Sequence, residues 1–298
     1  MLLRPPALQQ GDTVYILSTA RKITLEEIQP AIKKFEEWGL KVIVGETIGK
    51  EWRQFAGTDE ERKRDFQKAL DAKNVKAIIC ARGGYGTVRM MDDLNFDEFM
   101  KSPKWVVGFS DVTFLHVHIS NSIGIQTLQA IMPFSFPNAT QESIESLRNE
   151  LFGIRNAYKI HPHSLNRTGN AEGVLIGGNL SILYSITGTK SGMNTSGKIL
   201  FLEDLDEYLY HIDRMMMNLK RSGKLHDLAG LAVGGFTEMK DNKVPFGISA
   251  EEIIAEHVAE YSYPVCFSFP VGHVSDNRAL VMGRKYTLQV QPEAVKLF

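Results

Sequence analysis

Cysteine is scarce in this chain and long apolar runs are missing, and each shortage closes off a class of protein. Only two of 298 residues are cysteines, Cys80 and Cys266. Both lie in apolar, strand-like runs without metal-ligand spacing, which argues against a disulfide framework and for buried, reduced thiols in a reducing compartment. Nowhere do the roughly 18 consecutive apolar residues of a membrane-crossing helix occur. The opening Met-Leu-Leu-Arg-Pro-Pro-Ala-Leu-Gln-Gln has no apolar core of signal-peptide length, so the cytoplasm is the expected location and no membrane partner is expected. An excess of charge of one sign is missing too: 34 Lys and Arg stand against 35 Asp and Glu. No bulk field draws the chain to nucleic acid or an anionic surface, so partners must be argued from a site. Repeats and low-complexity tracts are absent. What is present, 43% hydrophobic and 23% charged residues, is the profile of a globular protein long enough for two domains.

The first half alternates short apolar runs with amphipathic stretches. Residues 13–18, 40–44, 76–80 and 105–109 read as strands. Between them, a helix over 24–38 ends at Gly39, and another starts at Thr58 with Glu61 at capping-box spacing. This order predicts an α/β fold with a parallel sheet covered by helices on both faces. Ligands of such sheets bind beyond the carboxyl ends of the strands, where Ser18, Arg82 and Ser110 fall. After a helix near 140–151, residues 153–172 are rich in His, Asn, Pro and Gly and read as a linker. Short strands punctuated by paired glycines follow, with helices near 208–221 and 249–261. The expected division is an N-terminal α/β domain over 1–152, the linker, and a smaller β-rich α/β domain over 173–298.

Lys104-Trp-Val-Val-Gly-Phe-Ser-Asp-Val-Thr-Phe-Leu-His116 is the most informative stretch, because an apolar strand ends at a serine that also opens a helix. Two roles fit Ser110 there: a nucleophile whose Oγ stands clear of the sheet, or an N-cap accepting from a helix amide. Taken alone, the cap is the simpler reading. A nucleophilic serine needs a base, and the base needs a group to orient it. His273 lies in a polar loop after a strand, within Pro-Val-Gly-His-Val-Ser-Asp-Asn277. The remaining histidines, including His116 and His118 on the helix after Ser110, fit structural roles. Glu203 sits where the apolar run Ile199-Leu-Phe-Leu ends, and a carboxylate at a partly buried strand end demands a partner. Glu203, Asp204, Asp206, Glu207 and His211 also admit a metal reading, but their spacing matches neither a calcium loop nor a two-histidine zinc site, so no metal is expected. The loop Ala81-Arg-Gly-Gly-Tyr-Gly86 can present bare amides to a developing oxyanion, together with the amide of Asp111. A dinucleotide loop is not met, because Arg89 stands where the third glycine belongs. Nor is the lipase-type elbow, since Val112 replaces its second glycine. With Ser110 on the first domain and Glu203 and His273 on the second, the expected site lies at the domain interface.

These residues resemble the blocks of the LD-carboxypeptidase family, which includes the related microcin-immunity peptidases. Arg82-Gly-Gly-Tyr-Gly-Thr-Val-Arg89, Val107-Gly-Phe-Ser-Asp-Val-Thr113, Gly177-Gly-Asn-Leu180, Phe201-Leu-Glu-Asp204 with Ile212-Asp-Arg-Met215, and Gly272-His273 follow the family's order almost end to end. The resemblance implies a Rossmann-like N-terminal domain and a smaller swivelling C-terminal domain, paired as a homodimer. It implies Ser110 as nucleophile, His273 as general base, Glu203 as orienting carboxylate and the Gly84 and Asp111 amides as oxyanion hole. Substrate contacts are expected at Arg82, Gly83, Tyr85 and Asn179. The implied reaction removes the terminal D-Ala of peptidoglycan tetrapeptide, a small muropeptide, without metal or cofactor. One departure stands out: where the family commonly has His-Gly-Pro-Met, this chain has Gln129-Ala-Ile-Met132. A free C-terminal carboxylate calls for donors, with Arg82, Arg89 or a helix N-terminus as candidates; Arg214 reads as an ion-pair residue for Asp213 or a neighbour. Two alternatives remain. An immunity peptidase acting on aminoacyl-nucleotide toxins calls for a stacking aromatic, for which Trp52, Phe134 and Tyr208 qualify. A non-catalytic two-domain ligand-binding protein predicts no covalent labelling of Ser110.

Overall fold

A computed structural model describes residues 2–298, and the chain forms two compact units. The first holds the residues up to Arg155 together with the returning segment Ser275–Val281. Its strands are β1 (Thr13–Leu17), β2 (Lys41–Val44), β3 (Val75–Cys80), β4 (Trp105–Gly108) and β5 (Thr127–Gln129). They pair in parallel in the order β2-β1-β3-β4-β5, the doubly wound order, with the switch point between β1 and β3. Every residue of β1 and β4 is buried, as expected of central parallel strands covered on both faces. The helices are α1 (Leu25–Glu37), α2 (Asp59–Asp71), the short α3 (Val88–Met91) and α4 (Asp97–Lys101), α5 (Thr113–His118) and α6 (Gln141–Leu151).

Local chemistry sets the helix ends. Thr24 with Glu27 and Thr58 with Glu61 both form complete capping boxes, so α1 and α2 each start one residue after a threonine cap. α1 buries Ile28, Ala31, Ile32 and Phe35, one stripe at helical spacing. The last carbonyls of α2 receive an unexpected partner: buried Lys104 donates to the carbonyls of Ala69, Leu70 and Ala72 at 3.1, 2.8 and 2.6 Å. Its ammonium therefore complements the negative end of the helix.

The second unit, Asn156–Val274 with Met282–Phe298, is built on a mixed seven-stranded sheet. Its strands are β6 (Tyr158–Ile160), β7 (Gly169–Asn179), β8 (Ile199–Leu205), β9 (Gly230–Thr237), β10 (Val265–Cys266), β12 (Lys285–Val290) and β13 (Val295–Leu297). β11 (Leu280–Met282) instead extends the first sheet beside β5. β7 through β10 run parallel, whereas β12, β13 and β6 continue antiparallel from the other edge of β7. Helices α7 (Leu180–Ser185), α8 (Leu209–Arg221) and α9 (Ala250–His257) complete it.

Two expectations about organisation change. Residues 153–172 are no free linker: they carry β6 and the start of β7. β6 is a three-residue edge strand with only Tyr158 buried, too short to show a period in sequence. The last stretch is also not confined to one domain, because Ser275–Val281 returns to the first unit. There the Ser275 carbonyl accepts from Thr140 N–H at 3.1 Å and Ser143 Oγ at 3.2 Å, and Ala279 N–H donates to Ser146 Oγ at 2.8 Å.

Candidate active site

In the first unit, β4 ends at Gly108 and Ser110 begins a tight 3-10 turn, Ser110–Val112, that leads into α5. Ser110 has φ +61, a left-handed conformation uncommon outside glycine and typical of strained functional turns. Its hydroxyl caps neither this turn nor α5, because neither has a side-chain cap. The cap reading thus gives way: Ser110 is a corner residue with an uncommitted role for Oγ.

Three neighbours hold the corner. Asp111 is buried, and its Oδ2 accepts from Thr87 N–H at 2.9 Å. The Thr87 hydroxyl in turn donates to Thr19 Oγ1 at 2.8 Å. Residue 111 therefore ties the end of the glycine loop after β3 to the serine turn. Burial pushes the Asp111 carboxyl up, opposed by the hydrogen bonds from Thr87. Gly83 packs so closely that a methyl group on it would stand 3.0 Å from Ser110 Cβ and 3.1 Å from Oγ. On the far side, the buried imidazole of His116 meets the Gly108 carbonyl with Nε2 at 2.8 Å and Thr127 Oγ1 with Nδ1 at 2.8 Å. A carbonyl only accepts, so Nε2 carries the hydrogen; burial keeps the ring neutral, so Nδ1 accepts from the Thr127 hydroxyl. Burial pushes its pKa down to about 4. The strut is structural, as expected of His116, but its hold on the residue two before Ser110 had no sequence signal.

In the second unit the parallel strands end in a second cluster. Glu203, fully buried near the end of β8, faces His273 with Oε2 at 2.6 Å from Nδ1. The ring donates from Nδ1 to the carboxylate, which leaves the lone pair on Nε2, the tautomer a general base needs. Burial alone would lower the pKa of His273, but the charge and hydrogen bond of Glu203 outweigh it and the net shift is upward. Gly272 makes the approach possible: at φ +104, a side chain there would come within 2.7 Å of Glu203 Cβ and Oε2. The His273 carbonyl accepts from Thr237 Oγ1 at 3.1 Å.

The other carboxylates of this stretch take separate partners. Asp204 accepts from Asn179 Nδ2 and Ser181 N–H, each at 2.9 Å, and burial, then the Glu203 charge, raises it to about 7. Asp206 pairs with Lys240 at 2.7 Å and Glu207 with His211 at 2.6 Å. The residues that admitted a metal reading are thus distributed among different partners. Asn179, an expected substrate contact, is buried at the end of β7, where its Oδ1 caps α7 and accepts from Ser181 Oγ. Its side chain braces Asp204.

The structure also sorts the expected substrate contacts of the first unit. Arg82 lies over the Phe134 ring at 4.1 Å, donates to the Lys22 carbonyl at 3.3 Å and stands 3.9 Å from Glu27. Tyr85 is exposed beside Phe55. Arg89 is held by Asp59 in a forked pair, with contacts of 2.6 to 2.9 Å. Of the candidate stacking aromatics, Trp52 lies against Phe55 and under Arg53, Phe134 is covered by Arg82, and Tyr208 leans on Tyr210. Asp213 accepts from His257 at 2.8 Å, and Arg214 lies over Tyr210 instead of pairing with it. Gln129, in the segment that departs from the family pattern, pairs with Gly108 across β4 and β5, and both its side-chain polar atoms are buried without partners among the described residues. Arg21, which no motif or spacing in the sequence singles out, lies across the glycine loop.

Comparison with known proteins identifies the family to which this fold belongs. Models of the LD-carboxypeptidase N-terminal and C-terminal domains match residues 14–130 and 172–288. The chain is 34% identical to a probable murein peptide carboxypeptidase of Bacillus subtilis (strain 168), covering 95% of this chain and 90% of that one. It is 30% identical to murein tetrapeptide carboxypeptidase of Pseudomonas aeruginosa, covering 93% and 92%. Among solved structures, muramoyltetrapeptide carboxypeptidase from Oxalobacter formigenes matches with a TM-score of 0.87 at 28% identity, over 96% of this chain and 97% of that one. The immunity protein MccF, solved with glutamyl sulfamoyl guanosine, shares the fold at 21% identity and the same TM-score, over 99% and 98%. With both domain models matched in order and relatives aligned over nearly their whole length, the chain belongs to the LD-carboxypeptidase family and is a carboxypeptidase enzyme.

Proposed function

We propose that this enzyme is a serine peptidase that hydrolyses the L,D-amide bond before the terminal D-Ala of peptidoglycan tetrapeptide. Ser110 is the nucleophile, His273 the general base and Glu203 its orienting carboxylate. The observation that carries the reading is the contact at 2.6 Å between buried Glu203 and partly exposed His273, which sets the imidazole in the tautomer that removes a proton from a hydroxyl. Names of the Bacillus, Pseudomonas and Oxalobacter relatives, all peptidases of murein or muramoyl peptides, support the substrate.

In this mechanism His273 Nε2 accepts the Ser110 proton as Oγ attacks the scissile carbonyl. The oxyanion is stabilised by the amides of Gly84 and Asp111. Collapse of the tetrahedral species breaks the C–N bond, and the departing D-Ala amine takes the proton from His273. Water then repeats the cycle on the acyl-enzyme. We place the reaction in the cytoplasm, in recycling of cell-wall peptides by a homodimer; two buried, unpaired thiols support a reducing compartment, and no described helix is long and apolar enough to cross a membrane.

Mass spectrometry of tetrapeptide incubated with the purified chain should show loss of one alanine. Ser110→Ala should lower kcat on the order of 10⁶-fold, the scale of removing a triad serine. Turnover near wild type in that variant would overturn the serine mechanism.

A further inference from the structure

A carboxypeptidase must recognise the one group an internal peptide bond lacks, the free α-carboxylate of the last residue. That group lies three covalent bonds from the attacked carbonyl carbon, at most about 4.3 Å away by standard bond lengths. Its cation must therefore stand close to the glycine loop beside Ser110. Three arginines flank this loop. Arg89 is occupied by its forked pair with Asp59. Arg82 is spread over the Phe134 ring, the Lys22 carbonyl and Glu27.

Arg21 differs from both. Its backbone is pinned at the carboxyl end of β1: the carbonyl accepts from Ser18 Oγ at 2.7 Å, and the N–H donates to the Gly83 carbonyl at 3.4 Å. Its stem lies against the bare Cα of Gly84, where an added side-chain carbon would stand 2.6 Å from Arg21 Cγ and Cδ and 2.8 Å from Nε. Gly84 directly follows Gly83, the residue that touches Ser110, so one peptide unit, about 3.8 Å between Cα atoms, separates the nucleophile's neighbour from the residue under Arg21. Among the described residues no carboxylate pairs with the Arg21 guanidinium. The nearby Arg82 guanidinium, lowered first by burial, also feels the charge of Arg21. Two cations at one loop, one of them without a counter-ion, favour an anion there.

We infer that Arg21 binds the free α-carboxylate of the substrate's C-terminal residue and so makes the enzyme a carboxypeptidase rather than an endopeptidase. The inference rests on the tetrapeptide reading above. A guanidinium suits the task because its fork matches the two oxygens of a carboxylate.

The test separates charge from packing. Arg21→Met keeps an apolar stem over Gly84 but removes the charge; Arg21→Lys restores a charge without the fork. On tetrapeptide with a free carboxylate, Arg21→Met should lose about ten- to a hundred-fold in kcat/KM, chiefly through KM, the scale of a hydrogen bond to a charged group. Arg21→Lys should recover part of that loss. The rate at which a fluorophosphonate, which carries no carboxylate, labels Ser110 should equal the wild-type rate in both variants. If Arg21→Met keeps its kcat/KM within two-fold, or if labelling falls in step with peptide turnover, the inference is overturned while the tetrapeptide reading stands. A wild-type chain that releases no alanine overturns both.

Discussion

Gly83→Ala isolates the fit between the glycine loop and the nucleophile. Gly83 lies outside the left-handed region, so alanine meets no backbone penalty there, and the loss of unfolded-state freedom favours the variant by about 0.4 to 1 kcal/mol. The added methyl, however, would stand 3.0 Å from Ser110 Cβ, 3.1 Å from Oγ and 3.4 Å from Met132 Cε. The methionine is flexible and can move. Ser110 cannot retreat as easily: its backbone sits at φ +61, and the next residue is buried and bonded to Thr87. The relief left is rotation of the Ser110 side chain away from its staggered position, at about 0.5 to 1.5 kcal/mol for 30°. That rotation displaces Oγ from its line of attack, and a displacement near 1 Å costs on the order of 100-fold in rate. We therefore expect kcat to fall by about ten- to a hundred-fold; the two effects on stability nearly cancel, so it changes by no more than about 1 kcal/mol. Alanine release from tetrapeptide, followed beside calorimetric melting, measures both. A kcat within three-fold of wild type would refute the reasoning, as would a loss of kcat that accompanies a drop in Tm of more than about 4 °C.

The other predictions concern the two histidines. Glu203→Gln should cut kcat by about 10⁴-fold, as when an amide replaces the orienting carboxylate of a triad. The carboxylate raises the His273 pKa, and His273 acts unprotonated, so the acid limb of the kcat/KM profile should move to lower pH in this variant; an unmoved limb would separate Glu203 from the base. His116 is held neutral at about 4 against 6.5 for a free imidazole, worth about 3 kcal/mol. Because the folded pKa is depressed, that stability is complete above pH 6.5 and is lost as pH falls toward 4, where the unfolded chain binds the extra proton. Urea unfolding from pH 7 to 4 should show a shallower acid decline for His116→Gln than for wild type; equal slopes would exclude the imidazole as the cause.

Much of the first unit was legible because its signals are local. Capping boxes act over three residues, and buried strands show as short β-branched runs. The second unit was less so. β6 and β13 are three-residue strands with no room for a period, and the return of Ser275–Val281 to the first unit depends on partners at Thr140, Ser143 and Ser146, more than a hundred positions away. Among site residues, the Gly177-Gly-Asn-Leu180 block implies a substrate contact at Asn179, and its burial and its bond to Asp204 follow from the pairing of β7 with β8. Arg21 carries no sequence signal because an arginine in a loop has no pattern, and only the path of β1 beside β3 brings it over Gly84.

By itself the sequence determined the α/β character, the strand-end position of Ser110, and the residue types able to form a nucleophile, base and orienter, since these follow from short-range periodicity and spacing. Tertiary structure decided which charges meet. Glu203 and His273 lie 70 positions apart and become partners because β8 and the loop at Gly272 converge. It also decided that Ser110 adopts a left-handed corner instead of a cap. Hydrogen bonds and ion pairs act only at contact distance, and contact between distant residues is a property of the folded sheets rather than of the chain's order.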